Sequence, residues 1–222
     1  MKTLKINCNN QSFILHPFGV AFWEDKEMLL IADVHLGKVT HFRKHGSAVP
    51  QASIYHNFEQ LSVITDYFNP KTICFLGDLF HSYVNNEWIL FKDWVKKFNR
   101  EIVLISGNHD VIATSMYEEI NVIVKKEWLI NGFLLTHYPE SRNDLFNFSG
   151  HIHPGIRLQG LGKQSLKVSC FLRKKHQMIF PAFGNFTGKF IIKPDPTDQV
   201  YVNTNEEVIE IELNSARMNL KE

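Results

Sequence analysis

Seven side chains able to hold a divalent cation stand at the ends of five apolar runs. MLLIADVH delivers Asp33 and His35, and TICFLGD delivers Asp78. EIVLISGNHD delivers Asn108 with His109 and Asp110, GFLLTH delivers His137, and LFNFSGHIH delivers His151 and His153. Asp, Asn and His offer the hard or borderline oxygen and nitrogen donors that suit divalent metals. One apolar run ending in such a residue carries little information; five in one chain form a constellation. A two-metal hydrolytic site needs a bridging carboxylate and about three further donors per ion, with the ions roughly 3.5–4 Å apart. The arithmetic closes with Asp33, His35, Asp78 and His153 on one ion and Asp78, Asn108, His137 and His151 on the other. The i, i+2 spacing of Asp-x-His and His-x-His sets both donors on one side of an extended backbone. His109 is left over.

These donors need strands to carry them. An apolar run of four to eight residues closed by a turn signal reads as a buried strand. Ligands of open α/β sheets collect at the carboxyl edge of such strands. Leu4–Ile6, Ser12–Leu15, Val20–Trp23 and Met28–Ala32 read as short strands, followed by a long polar loop, LGKVTHFRKHGSAVP. A helix is expected over 51–68, stopped by Asn69-Pro70, then a strand at Thr72–Leu76. A second helix over 86–98 gathers Trp88, Phe91, Trp94, Val95 and Phe98 on one core-facing stripe. A short helix is expected near Ile112–Glu119. Asn131-Gly132 marks a two-residue hairpin, SLKVSCF and QMIFPAF a second hairpin, and VIEIEL a half-buried strand. The chain reads as one domain over residues 1–222, mixed α/β, with two sheets packed together and helices outside.

With 222 residues, 44% of them hydrophobic, the chain is long enough to bury a core without staples. Cys8, Cys74 and Cys170 are scattered and odd in number, which suits a reducing compartment and argues against a Cys-bound zinc. The N-terminus lacks the apolar stretch of a signal peptide, and no run is long enough to span a bilayer. A cytoplasmic protein with no membrane partner is expected.

The net charge of +1 hides an asymmetry. From Leu145 to Pro194 there is no Asp or Glu, whereas Arg157, Lys163, Lys167, Arg173, Lys174, Lys175, Lys189 and Lys193 are present. Val34 to Phe58 is also free of carboxylates and carries Lys38, Arg43 and Lys44. Such a distribution fits either a polyanionic partner or a solvated basic face.

The blocks Asp-x-His, Gly-Asp, Gly-Asn-His-Asp, His and Gly-His-x-His occur here in the order found in the calcineurin-like metallophosphoesterase superfamily, which the chain resembles. The stretches ADVHLGKVTHFRKHGSAVP, GDLFHS, GHIHPG and FPAFGNFTG are further similar to those of bacterial DNA-ligase-associated metallophosphoesterases, which are DNA damage response endonucleases. The resemblance implies a four-layer α/β/β/α sandwich of two mixed sheets flanked by helices. It supports the ligand division given above, with manganese favoured and iron or zinc possible. It also implies His109 as a substrate-contacting acid steadied by Asp110. Tyr138, after His137, departs from the usual acidic or small residue, with no effect expected on metal binding. DNA is the substrate this suggests, with ligase, helicase or nuclease proteins of repair as partners.

The expected chemistry is attack of a metal-bridging hydroxide on a phosphodiester, with His109 assisting the leaving group. Lys38, Arg43, Lys44 and His81 are the expected substrate contacts, and Arg157 with Arg173–Lys175 would extend a DNA track. His41 and His45 read as phosphate contacts or plain loop residues; His16, His56 and His176 read as surface or satisfied histidines. A small-molecule phosphate-ester hydrolase shares every ligand, and a non-catalytic scaffold subunit is a third reading.

Overall fold

The structure, a computed structural model, describes residues 1–44, 46, 52–159, 164–184, 187–204, 206–214 and 217–220. For Lys44, Ala52, Asn214 and 217–220 it describes the backbone alone.

The first sheet has seven strands in chain order: β1 (Leu4–Cys8), β2 (Gln11–His16), β3 (Val20–Trp23), β4 (Met28–Ile31), β5 (Thr72–Phe75), β6 (Glu101–Ile105) and β7 (Val122–Lys125). β1 to β4 form an antiparallel meander, whereas β4 to β7 run parallel. Parallel neighbours need crossovers, and helices α2 (Ala52–Phe68) and α3 (Asn86–Phe98) supply two of them. Asn85 caps α3 by accepting from Glu87 N–H at 2.8 Å.

The second sheet is also mixed. It is built from β8 (Trp128–Ile130), β9 (Phe133–Leu135), β10 (Phe146–Ser149), β11 (Pro154–Gln159), β12 (Ser165–Lys174), β13 (Gln177–Ile179), β14 (Phe190–Ile191), β15 (Gln199–Asn203), β16 (Val208–Asn214) and β17 (Arg217–Leu220). At the β8–β9 turn, Asn131 (φ 50°) and Gly132 (φ 79°) both take the left-handed backbone that a tight hairpin requires.

Strand alternation assigns side chains to layers. From β4, β5 and β6, Met28, Leu30, Cys74, Val103 and Ile105 point to the second sheet, where Phe133, Phe148, Phe171 and Phe180 meet them. Leu29, Ile31, Ile73, Phe75, Ile102 and Leu104 point the other way, under Phe58, Leu61 and Ile64 of α2 and Trp88, Phe91 and Trp94 of α3. Both faces of these strands are buried, so their sequences are continuously apolar instead of alternating. The outer face of the second sheet carries a smaller cluster, built among the described residues from Ile156, Cys170, Leu172, Val200, Val202 and Ile211. Two mixed sheets flanked by helices are therefore what the sequence implied. All three cysteines are buried and unpaired.

One expectation fails. The polar stretch after His35 is not all loop: α1 (Lys38–Lys44) begins in it. Seven residues with only two strong apolar side chains show no amphipathic stripe, so periodicity could not find it. What holds it is tertiary. The buried carboxylate of Glu87 accepts from Gly37 N–H at 2.7 Å and from Thr40 Oγ–H at 2.7 Å, an acceptor reaching across from α3 to the start of α1. The short helix expected near 112–119 is α4 (Thr114–Glu118).

Candidate metal centre

Three of the five strands that end at the site, β4, β5 and β10, hand over their donors by the same device. Beyond β4, Val34 and Leu36 enter the helix-side core while Asp33 and His35 turn towards the opposite sheet. Asp33 N–H donates to Gly77 O at 3.2 Å, and His35 N–H to Asp78 O at 2.9 Å, so the loops after β4 and β5 zip together. The backbone here is not extended. Asp33 (φ 54°), His35 (φ 51°), Asp78 (φ 50°), His151 (φ 69°) and His153 (φ 52°) all occupy the left-handed region. The pleat of a strand therefore does not bring Asp33 to His35 or His151 to His153, contrary to the i, i+2 reading. Left-handed kinks do it, each costing on the order of 1–3 kcal/mol, a strain typical of functional sites.

Three glycines leave the space. A Cβ on Gly107 would collide with the Asp78 carboxylate and come within 2.5 Å of Asp78 N. One on Gly150 would collide with Asp33 Oδ2, and one on Gly77 with the His137 ring. Gly107 does not adopt a positive φ, so close approach and not a tight turn explains it.

The donors converge. His153 Nε2 lies 3.2 Å from Asp33 Oδ1, and His35 Nε2 lies 3.4 Å from His153 Nε2 and 4.0 Å from Asp78 Oδ2. On the other side His137 Nε2 lies 3.5 Å from Asp78 Oδ1, 3.0 Å from Asn108 Oδ1 and 3.2 Å from His151 Nδ1. Two groups have ligand atoms mutually within 4.8 Å: Asp33, His35 and His153, and Asp33, Asp78 and His137. All seven predicted donors thus meet, and Asp33 as well as Asp78 stands between the two halves.

The donor atoms fit cations. Asp33 Oδ1 is buried and lacks a hydrogen-bond donor, a costly state unless a positive charge faces it. His35 is pushed down to about 2, first by burial and then by neighbouring Lys38 and the surrounding histidines. His151 is also lowered, chiefly by burial and then by His137. Neutral imidazoles keep a lone pair for a metal. Backbone N–H groups hold the remaining carboxylate lobes: His109 N–H donates to Asp78 Oδ1 and His151 N–H to Asp33 Oδ2, both at 2.9 Å. His137 Nδ1 faces Leu76 O at 3.1 Å, the outer partner expected of a metal-binding histidine.

The other predicted residues fare differently. His109 reaches the site, but Asp110 does not steady its ring. The buried Asp110 carboxylate accepts from Gly107 N–H at 2.9 Å and Phe80 N–H at 3.1 Å, fastening the two loops together. Burial pushes Asp110 up to about 6 against those hydrogen bonds. Its neighbour in sequence projects elsewhere because the turn separates their side chains. His81 does belong to the site, packed against the rings of His109 and His35. Lys38 stands beside the cluster, lowered by burial while Asp33 and Asp78 pull it back up. Arg43, five residues on, lies about 140° further round α1 and borders a separate cavity with Tyr55 and Ile89. The side chain of Lys44 and all of His45 and Lys163 lie outside the described residues. Arg173 and Lys174 are engaged elsewhere: Arg173 lies against Tyr201 and Cys8, and Lys174 pairs with Asp195 and Asp198 at 3.1 and 3.0 Å.

Two contributors were not foreseen. Glu87 positions α1, and the only signal for it was the Asn85 cap beside it. Tyr138 lies with its ring 4.4 Å from that of His151 and 4.9 Å from that of His137.

The model of the calcineurin-like phosphoesterase family matches residues 27–169, well over half of the chain and all seven donors. The chain belongs to this family. The phosphoesterase is therefore a metal-dependent hydrolase of phosphate esters, of a family that typically holds two divalent ions. No curated protein matches it significantly. Among solved structures, nuclease MPE of Pseudomonas putida is similar at 26% identity with a TM-score of 0.78, covering 91% of this chain and 97% of that one. Among the described residues, no helix is long and apolar enough to cross a membrane.

Proposed function

We propose that this phosphoesterase is a nuclease: a two-metal phosphodiesterase that cuts DNA, with a role in repair. The observation that carries the reading is the meeting of five donors in two groups around Asp33 and Asp78, with Asn108 and His151 beside His137, in a chain similar to a solved nuclease. Asp33, His35, Asp78 and His153 would hold one ion, and Asp78, Asn108, His137 and His151 the other. Donors without sulfur suit manganese, iron or zinc alike, and the family resemblance favours manganese. Such ions, when bound, supply Lewis acidity towards the phosphoryl oxygens and make water nucleophilic near neutral pH.

The chain does the rest. His109, carried on the Gly107–Asp110 turn, is the group assigned to steady or protonate the leaving alkoxide. Its ring is held by His81 and His35, and its backbone by Asp78. Lys38 stands next to the carboxylate pair, where a substrate phosphate must approach, lowered by burial while Asp33 and Asp78 pull it back up. The deeply buried strands and helices behind these loops hold the geometry.

The test is cleavage of circular single-stranded and supercoiled plasmid DNA with manganese, run beside bis-p-nitrophenyl phosphate. Nicked or linearised circles are expected. Hydrolysis of the small ester with every circle intact would replace this reading with that of a small-molecule phosphodiesterase.

A further inference from the structure

A cavity of about 700 Å³ opens beside the metal centre, with His153 in its wall. It is a cleft between the two halves of the fold. Phe18 from the β2–β3 turn and His56 of α2 form one side, and Lys167 of β12 with Lys189 before β14 form the other. Its volume lies within the range of pockets that bury an organic ligand. Among the described residues no carboxylate lines it.

The cationic side is built, not incidental. In the β11–β12 ladder Arg157 stands directly opposite Lys167, so both project from one face. Gly155 shares that face two residues back; a Cβ there would come within 2.8 Å of Val168 O and 3.1 Å of Lys189 Cβ, so the glycine makes room for the neighbouring strand and for Lys189. Arg157, Lys167 and Lys189 thus form one positive surface leading away from His153. Among the described residues none of the three makes an ion pair. Lys174, by contrast, is consumed by Asp195 and Asp198. Three uncompensated cations beside a carboxylate-free cleft favour an anion with several charges in a row. Phe18, in the wall facing Lys167, suits the faces of bases or sugars.

We propose that this cleft binds the strand flanking the scissile phosphate, Lys167 and Lys189 pairing with its phosphates, so that the preferred substrate is an oligonucleotide and not a mononucleotide ester. The proposal rests on the nuclease reading and extends it to residues that no metal-binding argument requires.

The test compares wild type with Lys167→Gln/Lys189→Gln on a single-stranded 12-mer and on bis-p-nitrophenyl phosphate, each across a salt series. The expected ratio of kcat/KM, 12-mer over small ester, falls at least tenfold in the double variant. The salt dependence on the 12-mer should become shallower by about 0.7 per lysine in the log–log slope. The single variants should each give about half the slope change, which covers a double variant that fails to fold. Equal losses on both substrates, or a 12-mer slope that does not change, would overturn the cleft assignment while leaving the nuclease reading intact. A wild-type enzyme that hydrolyses the small ester and leaves every 12-mer whole would overturn the nuclease reading, and this with it.

Discussion

The imidazoles of His81 and His109 stack with centroids 4.8 Å apart and planes 26° from parallel. The residue assigned to the leaving group is thus oriented by a ring from the loop after β5, while Asp110 fastens backbone. His81→Ala should lower kcat on DNA by roughly tenfold, the cost of losing orientation of one catalytic group. Bound metal, measured by elemental analysis, should stay at the wild-type ratio. A variant that loses metal instead would show His81 to be part of the ion cage.

His109→Ala separates chemistry from binding. Loss of general-acid help is typically 10²–10⁴-fold. Turnover should fall by about that on DNA and much less on bis-p-nitrophenyl phosphate, whose leaving group needs no proton. A uniform loss on both esters, or loss of an ion, would contradict the acid role.

Gly150→Ala places a methyl group against Asp33 Oδ2 and within 2.9 Å of the Ala32 side chain. Both neighbours are buried at the end of β4 and cannot move aside cheaply. Isothermal titration with manganese should show at least tenfold weaker binding of one or both ions. Unchanged affinity would mean that the Asp33 carboxylate does not need its present position.

Removing metal should destabilise the fold as well as stop the reaction. Asp33 and Asp78 are buried among imidazoles, and a ligand at a hundred times its Kd contributes about 2.7 kcal/mol. Chelation should lower Tm by several degrees and abolish hydrolysis, with both restored by adding Mn²⁺. A Tm indifferent to chelation would argue against ions bound in this cage.

His16 sets an acid limit away from the active site. It is buried against Phe18, Tyr67 and Phe68, and its Nδ1 accepts from Phe18 N–H at 3.1 Å. Burial, with a smaller push from the amino terminus, holds it down to about 4, against 6.5 ordinarily. Between those values the unfolded chain takes up a proton that the native state refuses, so stability falls as pH drops through this window. By pH 5 the loss amounts to about 2 kcal/mol. Urea midpoints at pH 7.5 and 5.0 should therefore differ less in His16→Gln than in wild type. An identical pH response in both would remove His16 as the cause.

The sequence by itself determined the chemistry of the donors and the strands that carry them. Asp33, His35, Asp78, Asn108, His137, His151 and His153 were legible because buried parallel strands must be apolar throughout, which makes a polar residue at each tip conspicuous. The helix over 86–98 was legible because its aromatic stripe repeats at helical spacing. Only the tertiary structure decided how those donors meet. Left-handed kinks at five of them, and the glycines opposite Asp33, Asp78 and His137, are set by loops that share one crowded volume, and no local periodicity records that. The same holds for α1, which Glu87 fixes from another helix, and for His81 in place of Asp110 behind His109. Charge followed the same division: the sequence revealed two basic stretches, but pairing across strands decided that Lys167 and Lys189 face a cleft while Lys174 is neutralised by Asp195 and Asp198.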